Sequence, residues 1–150
     1  MAIFLNNQVG VKLQSSTTGT VTYQDLSDHV KSVTITRQFD ELDVSAMGSL
    51  GHQFVRGLES STVAIEFYND DATTSVLATL QSQWGTNAAF KIVQTASGGS
   101  ATVSATNPLY SGLILVNKTT DVNGAVGDIA TQSITFTVSG VITVATTGTW

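Results

Sequence analysis

Two histidines, His29 and His52, one acidic cluster and one glycine pair are the places where this sequence could do chemistry. The acidic cluster is Asp40-Glu41-Leu42-Asp43, the densest charge in the chain. A calcium ion would need several oxygens folded round one point, commonly on a glycine-bearing loop, and the cluster lacks the EF-hand pattern. Three readings stay open for it: a solvated loop, a contact between subunits involving Arg37 or Arg56, and a metal site. The histidines stand in no motif with metal-ligand spacing. Ser97-Gly98-Gly99-Ser100 is a lone glycine pair in a polar stretch, and no nucleophile elbow, Walker loop or dinucleotide fingerprint occurs. An active site needs convergent titratable groups, and this chain is short of them. The expectation is no catalytic residue, no metal and no cofactor.

Charge narrows the partners. Six Lys and Arg face eleven Asp and Glu, a formal net charge of −5 over 150 residues. Nucleic-acid binding needs a basic patch to neutralise phosphates, whereas Lys12, Lys31, Arg37, Arg56, Lys91 and Lys118 are scattered. A negative surface would suit a conduit that repels phosphates rather than trapping them. Charged residues are 11% of the chain, under half of the usual ~25%, and 39 Ser and Thr take their place. With no cysteine, disulfide and thiolate chemistry are excluded and the redox compartment stays open. The first residues, Met1 to Leu5, carry no basic segment before their apolar run, so no secretory leader is expected. No apolar run approaches the ~20 residues that span a bilayer. A soluble product made in the cytoplasm is expected, with no membrane insertion.

The elements that would position these residues are mainly strands. Thr and Val favour the pleated, half-buried setting of a sheet. Alternation marks Ser32–Thr36, Val63–Phe67 and, most plainly, Ser133–Ser139, where one face is apolar and the other all hydroxyl. Further strands are expected at Val9–Leu13, Thr20–Gln24, Ala88–Gln94, Leu109–Asn117 and Val141–Val144. Leu113-Ile114-Leu115-Val116 is apolar on both faces, as in a central strand or a subunit contact. Val76, Leu77, Leu80 and Trp84 share one helical stripe, so a helix is expected over Ala72–Trp84. Asp70 or Asp71 would cap it, and Gly85 would end it. Arg37 continues the Val33-Ile35 face, an odd place for a charge, and would end the buried part of its strand or pair with a carboxylate.

Two stretches lack periodicity. Thr95–Asn107 is small and polar and reads as a flexible loop or weak hairpin. Phe39–Leu58 lies between two good strands and is far longer than a hairpin loop. It carries Met47, Phe54, Val55 and Leu58, apolar groups usually found at protein–protein contacts when exposed on an extended arm. The other reading folds it back as an extra hairpin over its own core. The length fits one domain, 1–150, with an all-β sandwich or barrel, one flanking helix near 72–84 and a long loop near 39–58.

At this loop the sequence resembles a known family. Val33-Thr34-Ile35-Thr36-Arg37-Gln38-Phe39-Asp40-Glu41-Leu42-Asp43-Val44-Ser45-Ala46-Met47-Gly48 is similar to a segment of tail tube (major tail) proteins of bacteriophages with long, non-contractile tails. There a strand runs into an acidic stretch followed by glycine. Phe54-Val55-Arg56-Gly57-Leu58 and then Val63 to Asp70 resemble that family's turn and following strand. Gly127-Asp128 and Ile134 to Gly140 are similar to its penultimate strand. The likeness covers roughly residues 20–85 and 127–145, and residues 86–126 match no pattern of the family.

The resemblance implies a virion protein that assembles into hexameric rings, stacked as a hollow tail tube through which the genome passes without specific binding. It implies that the loop reaches an adjacent subunit or ring. Asp43, Val44, Gly48, Gly57 and Leu58 match the pattern, and Asp40, Glu41, Met47, Phe54 and Arg56 complete the expected inter-subunit contact. The implied partners are further copies of the chain, a tape-measure protein inside, and distal-tail and terminator proteins at the ends. Another virion ring or decoration protein (a tail terminator, a capsid decoration protein) or a secretion-tube subunit is the alternative. A carbohydrate-binding β-sandwich is a third class, weakened because Trp84 and Trp150 are the only tryptophans.

Overall fold

The computed structural model describes residues 8–16 and 18–150. The leader reading of Met1 to Leu5 falls outside the described residues. The strands are β1 (Gly10–Gln14), β2 (Tyr23–Asp25), β3 (Val30–Thr36), β4 (Phe39–Asp43), β5 (Phe54–Glu59), β6 (Thr62–Tyr68), β7 (Asn87–Val93), β8 (Leu109–Leu115) and β9 (Thr131–Ala145), with one helix, α1 (Val76–Ser82), between β6 and β7. A turn of 3₁₀ helix, Ser27–His29, leads into β3. Among the described residues seven strands form an antiparallel sheet in the order β2-β1-β7-β8-β9-β6-β3, and β4 pairs only with β5. The fold is all-β with one helix, as the alternating Thr and Val pattern requires.

The expected strands Ser133–Ser139 and Val141–Val144 are one long strand, β9, with a bend inside it. Its first half pairs with β6, from Thr131↔Tyr68 to Thr137↔Thr62. Its second half pairs with β8, and the register jumps between Ser111↔Thr143 and Leu113↔Ser139. Gly140 sits in that jump with φ +90°, a backbone conformation glycine adopts without steric cost. The bulge re-aims the strand and lets β9 serve both parts of the sheet. Ile134, Phe136, Val138 and Ile142 face inward, while Ser133, Thr135, Thr137 and Ser139 face water.

One core joins both parts. Val11, Leu13, Phe90, Ile92 and Ile114 meet Val63, Ile65, Phe67, Ile134 and Phe136, with Val76 and Leu80 of α1 against them. The helix is shorter than the expected Ala72–Trp84 and its face is turned. Val76, Thr79 and Leu80 are buried, as is Gln83, whereas Trp84 is exposed. Asp70 does not cap it: its Oδ1 accepts the Ala72 N–H at 2.9 Å, forming a turn one step upstream. Ser75 holds that turn through Oγ, which donates to the Asp70 carbonyl at 2.6 Å and the Ala72 carbonyl at 2.8 Å. Gly85 does follow the helix with φ +75°, and its N–H donates to the Val116 carbonyl at 2.8 Å.

Thr95–Asn107 is built rather than loose. Bridges Ser97↔Ser100 and Ser104↔Asn107 make two tight turns. The Asn107 side chain grips Thr95 through both its N–H and its carbonyl, and Val93, Ala96 and Leu109 form a second small core with Trp150 packed on it. Ile114 of β8 and Val116 just after it are buried, while Leu113 is 42% exposed and Leu115 partly exposed, so the doubly apolar stretch turns Leu113 and Leu115 outward.

Candidate functional site

The segment expected to be an irregular loop over Phe39–Leu58 is a β-hairpin, β4–β5, closed by an irregular tip, residues 44–53. It does not fold over the core. Every residue of β4 is exposed, and in β5 only Gly57 and Glu59 are partly covered. The hairpin leaves the body where β3 ends and returns where β6 begins, and it stands as an arm.

Its register sorts the side chains. Glu41 pairs with Arg56, Leu42 with Val55, and Asp43 with Phe54, and directly opposed residues share a face. One face is therefore charged and aromatic. The Arg56 guanidinium lies 5.2 Å from the Phe39 ring centroid and His52 stacks on Phe54 at 5.9 Å. Leu42 and Val55 form the other, aliphatic face. Met47 and Leu50 at the tip are fully exposed, and Leu58 is 81% exposed. Between Phe39↔Glu59 and Glu41↔Arg56, Gly57 and Leu58 oppose Asp40 alone, a bulge that twists the arm. The close approach requires glycine, because a Cβ on Gly57 would stand 2.8 Å from the Asp40 carbonyl oxygen.

The acidic residues do separate tasks. The Ser45 N–H donates to Asp43 Oδ1 at 2.8 Å, and His52 Nδ1 meets Asp43 Oδ2 at 2.9 Å. These bonds, Ser45's foremost, hold the Asp43 carboxyl below its ordinary range. The tip is thus braced, not loose: Val44 N–H donates to the Gln53 carbonyl at 2.8 Å and Gln53 N–H to Ser45 Oγ at 2.8 Å. Asp40 and Glu41 project into solvent. Among the described residues no three His, Asp or Glu side chains are grouped to hold a metal ion.

Sequence reasoning missed the residue that fixes the arm's base. Glu59 ends β5 with a side chain only 8% exposed. Its Oε1 accepts from Ser61 Oγ at 2.7 Å and from the Ile142 N–H at 3.2 Å. The Arg56 guanidinium lies 3.6 Å from its Oε2. The Ser61 and Ile142 bonds, then the charges of Arg37 and Arg56, lower its pKa. Arg37, expected either to end a buried face or to pair with a carboxylate, follows the last residue of β3, is exposed, and supplies part of that charge.

His29 makes a separate clasp. Nε2 meets Asp70 Oδ2 at 2.8 Å and Nδ1 meets Asp28 Oδ1 at 2.6 Å, tying the start of β3 to the turn before α1. Burial opposes the imidazole's charge, but the bonds to Asp70 and Asp28 and their charges outweigh it, so its pKa is raised above 6.5.

A second exposed apolar element was also missed. In the segment between β8 and β9, Val122, Val126 and Ile129 are 93%, 108% and 75% exposed. Asn69 Nδ2 donates to the Thr120 carbonyl at 3.2 Å, and the Thr120 N–H donates to Gln132 Oε1 at 3.0 Å. Two side-chain amides thus hold one backbone unit of this loop. Three isolated apolar residues among Gly, Asp and Asn give no period, so burial alone reveals them.

The fold and arm together define an open-edged β-sheet domain carrying a projecting hairpin. Its fold is similar to that of a chain in the six-fold-symmetrised cryo-EM structure of the anti-feeding prophage baseplate, with a TM-score of 0.56 over 96% of this chain and 96% of that one, at 8% identity. At that identity the likeness establishes shared architecture. No protein-family model matches the sequence, and no curated protein matches it.

Proposed function

We propose that this chain is a structural subunit of a virion tail, one domain without catalysis of its own, whose copies form stacked rings. The observation that carries the reading is the arm: a braced hairpin with exposed Leu42, Met47, Leu50, Phe54, Val55 and Leu58 that pairs with no other strand among the described residues. Apolar groups held out in this way mark a protein contact. β2 and β3 stand at the margins of the seven-stranded sheet, and such edges offer unpaired backbone groups to another chain. Edge-to-edge contacts close into a ring when the rotation divides the circle. The architecture shared with a baseplate chain and the resemblance around Asp43 to Gly48 and Gly57-Leu58 support the tail-tube form of this reading.

In that form the rings are hexameric and the lumen passes DNA without specific binding, for which a net charge of −5 is suited. Tape-measure, distal-tail and terminator proteins are the further partners. The baseplate origin of the similar structure favours a second reading, a subunit of a single ring at the end of a tube. Negative-stain electron microscopy with light scattering across concentration separates the two. Long tubes or stacked rings support the first, single rings the second, and a persistent monomer contradicts both.

A further inference from the structure

We infer that the loop between β8 and β9, residues 117–130, receives the arm of the next copy. The inference rests on the self-assembly reading above and names the surface that reading leaves open. Strand β6 fixes the placement of both elements. The arm joins the sheet at the Thr36↔Thr62 end of the β3–β6 pair, and the loop delivers β9 at the other end, where Thr131 pairs with Tyr68. The two therefore sit at opposite ends of one strand, roughly 20 Å apart at ~3.3 Å per residue. A contact between them is head-to-tail, and it propagates from copy to copy along a line unless its rotation closes a ring.

The loop is suited to receive. Asn69 and Gln132 hold Thr120 from both sides, and Asn123 Nδ2 donates to the Thr131 carbonyl at 2.7 Å. Little ordering entropy then remains to be lost on docking. Beside the loop is an open cleft of about 630 Å³ lined by Lys31, Tyr68, Ala125 and Ile129 among others. The arm carries eight large exposed apolar side chains and the loop three. Burial of all eleven, at on the order of 100 Å² of apolar area each, is the ceiling for the pair and reaches the ~1,000 Å² that a specific interface needs. Arm against arm would set Asp40, Glu41 and Asp43 against their own kind. The loop end is mixed instead: Lys118 stands with Asp121 and Asp128, and Lys31 at the cleft already pairs with Glu66 Oε1 at 2.8 Å.

The chain has no cysteine, so single thiols report the contact without background. Leu50→Cys protein is mixed with Val122→Cys, Val126→Cys or Ile129→Cys protein, assembled, oxidised and run on a non-reducing gel, with Thr135→Cys on the outer face of β9 as control. A disulfide-linked dimer with at least one loop position, and none with the control, is expected. A second arm avoids dependence on thiol geometry. Met47→Asp/Leu50→Asp and Val122→Asp/Val126→Asp proteins should each fail to stack alone, yet mixed they should give a complex of twice the size of either. Assemblies that form while Leu50→Cys links only to itself or to the control overturn the inference and leave self-assembly standing. A protein that stays monomeric at every concentration overturns both.

Discussion

The carboxylate of Glu59 accepts the backbone N–H of Ile142, 83 positions further along the chain. That N–H lies just past the bulge at Gly140, where the ladder between β8 and β9 is interrupted. One side chain thus satisfies a donor the bend displaces from its ladder and fixes the base of the arm against the sheet. Glu59 is where the fold and the contact surface are joined.

Replacing Glu59 by Ala should leave the sheet folded but loosen this joint. The Ile142 amide is expected to exchange with solvent roughly tenfold faster or more, since a hydrogen bond to a charged acceptor is lost. Native-state hydrogen exchange reads it directly, and unchanged protection at Ile142 would contradict the role given to Glu59. Because the folded pKa of Glu59 is lowered, its contribution is present above its unfolded pKa and is lost as the pH falls through the folded value.

Much of the sheet was legible because burial on one face leaves a period of two. In β9 the inward Ile134, Phe136 and Val138 alternate with Ser133, Thr135 and Thr137, and a sequence displays that alternation without help. The arm is a strand pair too, but both of its faces are wet, so Phe39, Leu42 and Val44 follow no burial period and read as loop. Trp84 extended the apparent stripe of α1 by spacing alone, yet the chain turns after Ser82, with the Gln83 N–H reaching back to the Leu80 carbonyl at 3.3 Å. Glu59 was invisible for a different reason: its partners lie in a bulge no local pattern announces. The acidic cluster was found, but only the structure separates Asp43, which braces the tip, from Asp40 and Glu41, which face solvent.

Phe90→Ala tests the core on its own. The ring is fully buried and its loss should cost about 3–5 kcal/mol. Denaturant unfolding measures this, and a cost under ~1 kcal/mol would show that β7 is not where the sheet is held.

Gly57→Ala separates arm from body. The added Cβ meets the Asp40 carbonyl oxygen, so β4 and β5 must shift, while the core is untouched. The melting temperature should move little, and the concentration needed for self-assembly should rise about tenfold or more. Light scattering against concentration gives the answer. Unaltered assembly would mean that the arm's twist does not matter to the contact.

The His29 clasp predicts a pH dependence with a definite sign. A raised imidazole pKa contributes stability that is fully present below 6.5 and is lost as pH rises through the folded value. Asp70, lowered first by the Ala72 N–H and then by His29, loses its part only on the acid side, as the pH falls through its own folded value. The melting temperature should therefore decline as the pH rises from 6.5 through the folded value, more steeply than in His29→Gln protein. Parallel profiles for the two proteins would remove the clasp.

The most direct measurement is made on the chain with residues Glu41–Gln53 replaced by a two-residue Asn-Gly turn. Circular dichroism and sedimentation velocity are compared with those of the intact protein. A β-rich fold of unchanged melting temperature that no longer stacks is the result this account predicts. Loss of the fold, or assembly indistinguishable from that of the intact chain, would contradict it.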